Sequence, residues 1–304
     1  MNYPIKVSIL VVTYNHETYI KEALDSIIMQ QHDYSYEIVI ADDSSTDETF
    51  AIIKDYATHH EGFVFLPNIK NHGITQNYKR AFEACRGEYI AVLEGDDYWT
   101  SPHKIAKMIN FLDDNRGCSL AFNRFIVSET NTKKYNVQPW PIHEKFQLIT
   151  ISDLIQDNMI GNFSTCVYRN DNIKKISSSL YDIKVYDWMF NMVNAQFGLI
   201  GYIPEVMSVY RLHPNGTWTQ KSESEKINDM VQSIDEYNKY FDFLYDSEFQ
   251  QHRIRLLNRL VISNAPISNK QRLKRNIKNF TPPFLLSIIK YIVPPKMLDY
   301  FRNS

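Results

Sequence analysis

Residues 7–48 read VSILVVTYNHETYIKEALDSIIMQQHDYSYEIVIADDSSTDE, and this stretch decides the fold. Val7-Ser8-Ile9-Leu10-Val11-Val12 is a short apolar, β-branched run, the pattern of a strand buried on both faces. After a polar turn, Tyr19, Ile20, Ala23, Leu24, Ile27 and Ile28 recur at helical spacing and form one apolar face. A second strand is expected at 36–40, and Ser45-Thr46-Asp47-Glu48 reads as an S-x-x-E capping box opening a second helix. Working outward, the pattern predicts a strand at 63–66, a helix over 74–85 and a strand over 88–93 ending at Glu94. Pro102 suits the first turn of a further helix running to about Asp114. Strands alternating with helices in this way form βαβ units with right-handed crossovers. The expected class is therefore α/β, a Rossmann-like doubly wound and mostly parallel sheet. Beyond Asn115 the rhythm loosens: strands are expected at 118–125 and 163–168, helices at 152–158 and 184–197, and one or two strands over 199–211. From Ser222 onward the apolar spacing is helical, without residues that look catalytic.

The 304 residues suffice for one large α/β domain with an appendage, or for two modest domains. A net charge of −2 argues against a chain built to coat nucleic acid. Cys85, Cys118 and Cys166 are far apart and have no zinc-ligand spacing, which fits buried thiols in a reducing compartment. The first residues lack the charged, apolar and small-residue succession of a secretory leader, and no apolar run reaches the ~18–20 residues that a membrane span needs. The expectation is a cytoplasmic protein. The 20 Tyr and 17 Phe suit stacking on sugars or bases, and they suit an aromatic core equally.

In doubly wound sheets, ligands sit outside the carboxyl ends of the strands. The segments expected there are Thr13-Tyr14-Asn15, Asp42-Asp43-Ser44 and Glu94-Gly95-Asp96-Asp97. Neither G-x-G-x-x-G nor G-x-x-x-x-G-K-[ST] occurs, and there are only 9 glycines, so a bound phosphate would have to be neutralised by something other than a glycine nest. A divalent cation on carboxylate oxygens does this, with Mg2+ or Mn2+ the natural choices. Each acidic pair also has a plainer reading, as a turn or a helix cap. Tyr14 is either a stacking face or a core ring, and Arg80 either reaches a diphosphate or is an exposed helical arginine.

The strings VSILVVTYNHETYIKEALDSI, YEIVIADDSSTDET, GEYIAVLEGDDYW and, much later, YDWMF and GYIPEVMSVYRLHPNGTW occur in order over about residues 5–220. This ordered set resembles the inverting family-2 glycosyltransferases of GT-A fold, in particular bacterial enzymes that build surface polysaccharides. The resemblance implies a nucleotide-sugar donor, most often a UDP-sugar, and a glycan or lipid-linked saccharide acceptor. It implies that Thr13, Tyr14 and Asn15 line the nucleotide pocket, that Asp42 with Asp43 beside it meets the base, and that Arg80 lies toward the diphosphate. Glu94-Gly95-Asp96 stands at the family's D-x-D place, with Glu for the first Asp. Glu94 is then the ribose contact, Asp96 the ligand of Mn2+ or Mg2+, and Asp97 a second ligand or a shaper of the turn. Asp187 matches the family's general base, although a helix N-terminus alone would also favour an aspartate there. Trp188 is expected to shape the acceptor site, Arg211 to belong to the loop over the donor, and His213 to complete the metal shell or touch the diphosphate.

The expected organisation is a GT-A catalytic domain at 1–220, with a nucleotide-binding half at 1–115 and an acceptor half at 116–220, followed by a helical extension at 221–304. The stretch 270–293 joins a basic cluster to an apolar run, which suits contact with the inner membrane leaflet or packing on the body. Two other functions compete: a nucleotidyltransferase, which would normally carry a glycine-rich basic loop after the first strand, and a catalytically inactive sugar-nucleotide-binding assembly partner.

Overall fold

The computed structural model describes residues 4–138, 146–216 and 218–264, with backbone only at 263–264. It divides into two compact units: Met1–Val137 with Glu144–His213, and Gln138–His143 with Pro214–Ser304.

The first unit opens as the periodicity predicts. Strand β1 (Val7–Thr13), helix α1 (Ile20–Ile28), β2 (Tyr36–Asp42), α2 (Thr49–His59), β3 (Phe63–Phe65), α3 (Ile74–Ala84) and β4 (Tyr89–Glu94) follow one another. Next come β5 (Tyr98–Trp99), α4 (Lys104–Asp114), β6 (Cys118–Glu129), β7 (Lys134–Val137) and β8 (Gln147–Ile149). The unit closes with α5 (Ile151–Gln156), β9 (Cys166–Arg169), α6 (Asn170–Ile173), α7 (Asp187–Ala195) and β10 (Leu199–Leu212).

The sheet order is β3-β2-β1-β4-β9-β6-β10-β5, with β7 beside β6 and β8 beside β10. Strands β1 to β4 are mutually parallel, and every residue of β1 is buried, as expected of a strand covered on both faces. The register sets Thr13 opposite Asp42 and Val12 opposite Glu94, so three strand ends line up on one edge. Strand β9 runs antiparallel to both β4 and β6, and β6 is parallel to β10. Two reversals restore the direction. The carboxyl end of β10 therefore emerges on the same edge as that of β4, although the strands are far apart in sequence.

Three local expectations are corrected. The capping box at 45–48 does not form: the Ser45 hydroxyl donates to Asp42 instead, and Asp47 Oδ1 accepts the Thr49 N–H at 3.0 Å. Residues 163–165 form a 3-10 turn, capped by Asn162, and strand β9 begins only at Cys166. Helix α4 begins at Lys104, so Pro102 precedes the first turn instead of lying in it.

The second unit contains α8 (Glu223–Tyr240), which starts with a Ser222–Glu225 capping box, and α9 (Asp246–Asn264). Ile227, Ile234, Tyr237, Phe249 and Leu256 are buried, and the Phe241 and Phe249 rings lie 6.1 Å apart. The basic and apolar stretch at 270–293 lies outside the described residues. No described helix is long and apolar enough to cross a membrane.

Candidate metal and nucleotide site

The turn after β4 is packed against the loop after β1. Gly95 donates its N–H to the Val12 carbonyl at 2.9 Å. A Cβ on Gly95 would collide with the Thr13 hydroxyl and come within 2.9 Å of His16 Nδ1, so only glycine lets the two loops close up here. This contact brings His16 to the acidic turn. Its Nε2 lies 3.7 Å from Asp96 Oδ2, and His213 Nε2 approaches the same oxygen at 3.0 Å. His16, Asp96 and His213 each present a ligand atom, and these atoms all lie within 4.8 Å of one another. His213 is buried, and its Nδ1 has no hydrogen-bond partner among the described residues. One carboxylate and two imidazoles at this spacing are a donor set that fits a divalent cation.

The charges around the turn differ in character. Burial works against ionisation of Asp96, but His16, and the hydrogen bond and charge of His213, bring its carboxyl below the usual value. Burial and the neighbouring Asp96 push Glu94 up to about 8, against a 2.8 Å hydrogen bond from the Tyr78 hydroxyl. Asp97 is raised well above the usual range by burial and by Asp96 and Glu94. Its oxygens accept the Ser164 hydroxyl at 2.6 Å and the Arg211 N–H at 2.9 Å. The Asp97 carboxylate is thus engaged in tying the turn to β10, and it stands outside the ligand cluster. Burial lowers the His16 imidazole, opposed by Asp96.

Arg211, expected in the loop over the donor, sits instead at the end of the strand run expected over 199–211. It lies within β10, 7% exposed, with its guanidinium between the Tyr19 and Tyr98 rings. It donates to the Asp96 carbonyl at 2.6 Å and pairs with Glu22 of α1. Its role is to hold the peptide that carries Asp96. Arg80 is similar: it donates to the Asp42 carbonyl at 2.8 Å, to the Pro67 carbonyl and to Asn77 Oδ1, and so braces the end of β2.

In the loop after β1, Tyr14 is 43% exposed and so is not a core ring. Asn15 takes a left-handed backbone (φ 55°), and its Oδ1 accepts the Thr46 N–H at 2.8 Å. Asp42 is buried and accepts from the Ser45 N–H at 3.0 Å and from Asn68 at 3.2 Å. Asp43 accepts the His72 and Gly73 N–H groups at 2.7 and 2.9 Å, so its carboxylate holds the start of α3. Thr13 is buried against His16 at 3.1 Å.

Asp187 is the first residue of α7. Burial pushes its carboxyl up to about 6, against the Asn158 amide at 3.1 Å and the N–H groups of Trp188 and Asp187 itself. Its charge is felt at Glu94, and Tyr210 on β10 feels Asp97, Glu94, Asp96 and Asp187 together. The charge of Asp187 thus reaches the acidic turn after β4. Trp188 is buried and donates to the Leu154 carbonyl at 2.7 Å, anchoring α7 on α5.

Sequence reasoning missed His16, Tyr78, Ser164 and Tyr210. Only His16 had a signal, its place directly after the Thr13-Tyr14-Asn15 segment at a strand's carboxyl end.

The mostly parallel α/β sheet thus carries an acidic, imidazole-flanked turn at its carboxyl edge. The chain matches the glycosyl transferase family 2 model over residues 8–176 and belongs to that family. It is 35% identical over 214 residues to the uncharacterised protein Rv1520 of Mycobacterium tuberculosis, covering 69% of this chain and 60% of that one. The chain thus spans 60% of the length of those relatives. It is 24% identical over 226 residues to TuaG of Bacillus subtilis, a glycosyltransferase assigned to teichuronic acid biosynthesis, covering 74% and 86%. Among solved structures, Staphylococcus aureus TarS in complex with UDP-GlcNAc superposes with a TM-score of 0.62 at 19% identity, over 88% of this chain and 78% of that one. The mannosyltransferase PcManGT of Pyrobaculum calidifontis, in complex with GDP-Man and Mn2+, gives 0.56 at 15%, over 94% and 86%. At these identities the likeness speaks for the fold, which is GT-A.

Proposed function

We propose that this chain transfers a sugar from a nucleotide-sugar donor, a UDP-sugar in the first instance, to a glycan or lipid-linked acceptor in bacterial surface-polysaccharide synthesis. The observation that carries this reading is the arrangement of carboxylates at the sheet edge. Asp96 faces two imidazoles, and Asp187, half-buried, is raised to about 6 with the Asn158 amide as its side-chain partner among the described residues.

In this reading Asp96 and His213, with His16, would hold Mn2+ or Mg2+, and the cation would supply Lewis-acid stabilisation of the charge on the departing nucleoside diphosphate. Asp187 is the base. Its carboxylate takes the proton of the acceptor hydroxyl as that oxygen bonds to the anomeric carbon and the bond to the diphosphate breaks on the opposite face. One displacement of this kind inverts the anomeric centre. Tyr14 stacks on the base, and Asp42 accepts its N–H. Glu94 sits beside the donor's ribose. The catalytic part is assigned to 1–220 and the helical extension to 221–304. Three buried free cysteines agree with action in the cytoplasm, with membrane contact through 270–293 part of the same proposal.

The test is binding and transfer with UDP-, GDP- and dTDP-sugars in wild type, Asp96→Asn and Asp187→Asn. Asp96→Asn should lose cation-dependent donor binding. Asp187→Asn should keep binding and lose transfer. Full transfer by Asp187→Asn would sink the assigned base.

A further inference from the structure

Tyr78 lies on the inward face of α3 with Asn77, Ala81 and Phe82, and only 3% of it is exposed. Its ring stacks on Phe163 with centroids 4.3 Å apart, and on Phe82 at 6.0 Å. The helix is fixed in turn. The Asn77 amide donates to the Ala41 carbonyl at 2.9 Å, and the Asp43 carboxylate accepts from the His72 and Gly73 N–H groups where α3 begins. A tyrosine hydroxyl buried in this way needs a polar partner. It finds one at the sheet edge, donating to Glu94 Oε1 at 2.8 Å.

Glu94 is placed differently. It ends β4 half-buried, and its backbone N–H donates to the Ser164 hydroxyl at 3.0 Å. The backbone of Phe163 also hydrogen-bonds its carboxylate. An ionised carboxylate can accept about four hydrogen bonds, so capacity remains for a ligand. A glutamate has one torsion more than an aspartate, and its carboxylate keeps a defined position at the sheet edge only if something holds it. The Tyr78 hydroxyl, on a ring locked into the core, supplies that hold.

We propose that Tyr78 is a positioning residue that, by holding the Glu94 carboxylate, makes the site discriminate nucleotides carrying a ribose hydroxyl from those lacking it. This rests on the reading of Glu94 as the ribose contact. A carboxylate held in place for one hydroxyl is left without its donor when that hydroxyl is missing, and the analogue is rejected. A carboxylate free to turn takes water instead and discriminates little.

The test uses the full chain with Mn2+ present and follows binding of UDP, 2′-deoxy-UDP and 3′-deoxy-UDP by calorimetry. Wild type should bind at least one of the deoxy nucleotides about tenfold to hundredfold more weakly than UDP. Tyr78→Phe keeps the ring in its stack and removes only the hydroxyl. It should bind UDP about as weakly as wild type binds that deoxy nucleotide, and should bind the two alike. In a Glu94→Ala background, Tyr78→Phe should change nothing further. Tyr78→Met, whose thioether also packs against aromatic rings, carries the same prediction where Tyr78→Phe does not fold. A folded Tyr78 variant that keeps the wild-type ratio, whether or not all its affinities fall together, overturns the inference and leaves the Glu94 contact standing. Wild type that binds all three nucleotides alike, or none of them, removes the Glu94 contact and the inference with it.

Discussion

At Asp187 the chemistry of the whole reading comes down to one carboxyl group. Burial raises it to about 6, from an ordinary value of 3.8, against three opposing hydrogen bonds. The base must be deprotonated to work, so transfer should fall as pH drops through about 6, where an ordinary aspartate would still be ionised. A pH–rate profile of kcat on the acid side checks this, and a flat profile down to pH ~4.5 contradicts it. Asp187→Asn should cost about 10^2 to 10^4 in kcat, with donor affinity nearly unchanged. Gly95 makes a second prediction. Because a methyl group there meets Thr13 and His16, Gly95→Ala should destabilise the fold by about 1–3 kcal/mol in chemical denaturation and weaken Mn2+ binding. At this scale the sequence showed which positions bear acid and failed to show their company. Asp43, Asp97, Arg80 and Arg211 have residue types that suit a donor site, yet their polar atoms are engaged by backbone groups 29 to 115 positions away. Such pairing leaves no local trace.

Between elements, α4 is tied to the sheet by a buried lysine. Lys104, the first residue of α4, is fully buried, donates to Asn123 of β6 and to the Thr165 carbonyl at 3.1 Å, and lies 5.3 Å from the Trp99 ring. Burial brings its ammonium down to about 7, and the positive end of the helix dipole acts in the same direction. The unfolded chain binds this proton up to its ordinary value of 10.5, so the lysine costs stability below about pH 7 and the cost fades as pH rises toward 10.5. Urea denaturation between pH 6 and 9 should therefore show a rise that Lys104→Met flattens. The Arg211 clamp joins α1, β10 and the acidic turn. Arg211→Lys keeps the charge but loses the planar fork and the stacking between two tyrosines, so about 1–3 kcal/mol of stability should go, along with cation affinity. Elements were the most legible level. The run Val7–Thr13 and the face of α1 announce themselves by period alone. The expected box at 45–48 failed because the Ser45 hydroxyl found Asp42, a competing acceptor three residues away, before it could cap α2.

Over the whole molecule, the doubly wound half was legible and the return path through β9, β6 and β10 was not. Those strands are paired by topology across distances that periodicity does not encode, and β9 lies between two strands that both run against it. A ligand bound only by the folded state should raise its stability by about 2.7 kcal/mol at 100 times its Kd. Thermal unfolding of the full chain should thus move upward with added Mn2+, and Asp96→Asn should abolish the shift. The join between His213 and Asp96 spans 117 positions, and that between His16 and Asp96 spans most of the remaining first unit. During synthesis the nascent chain can lay down β1 to β4 early, yet it carries no complete ion-binding set until β10 has been made and docked. On the proposed reading, metal capture would therefore mark the end of folding and not its beginning, and in refolding Mn2+ binding should trail the recovery of helical signal, gated by the slow closure of the longest loop in the unit.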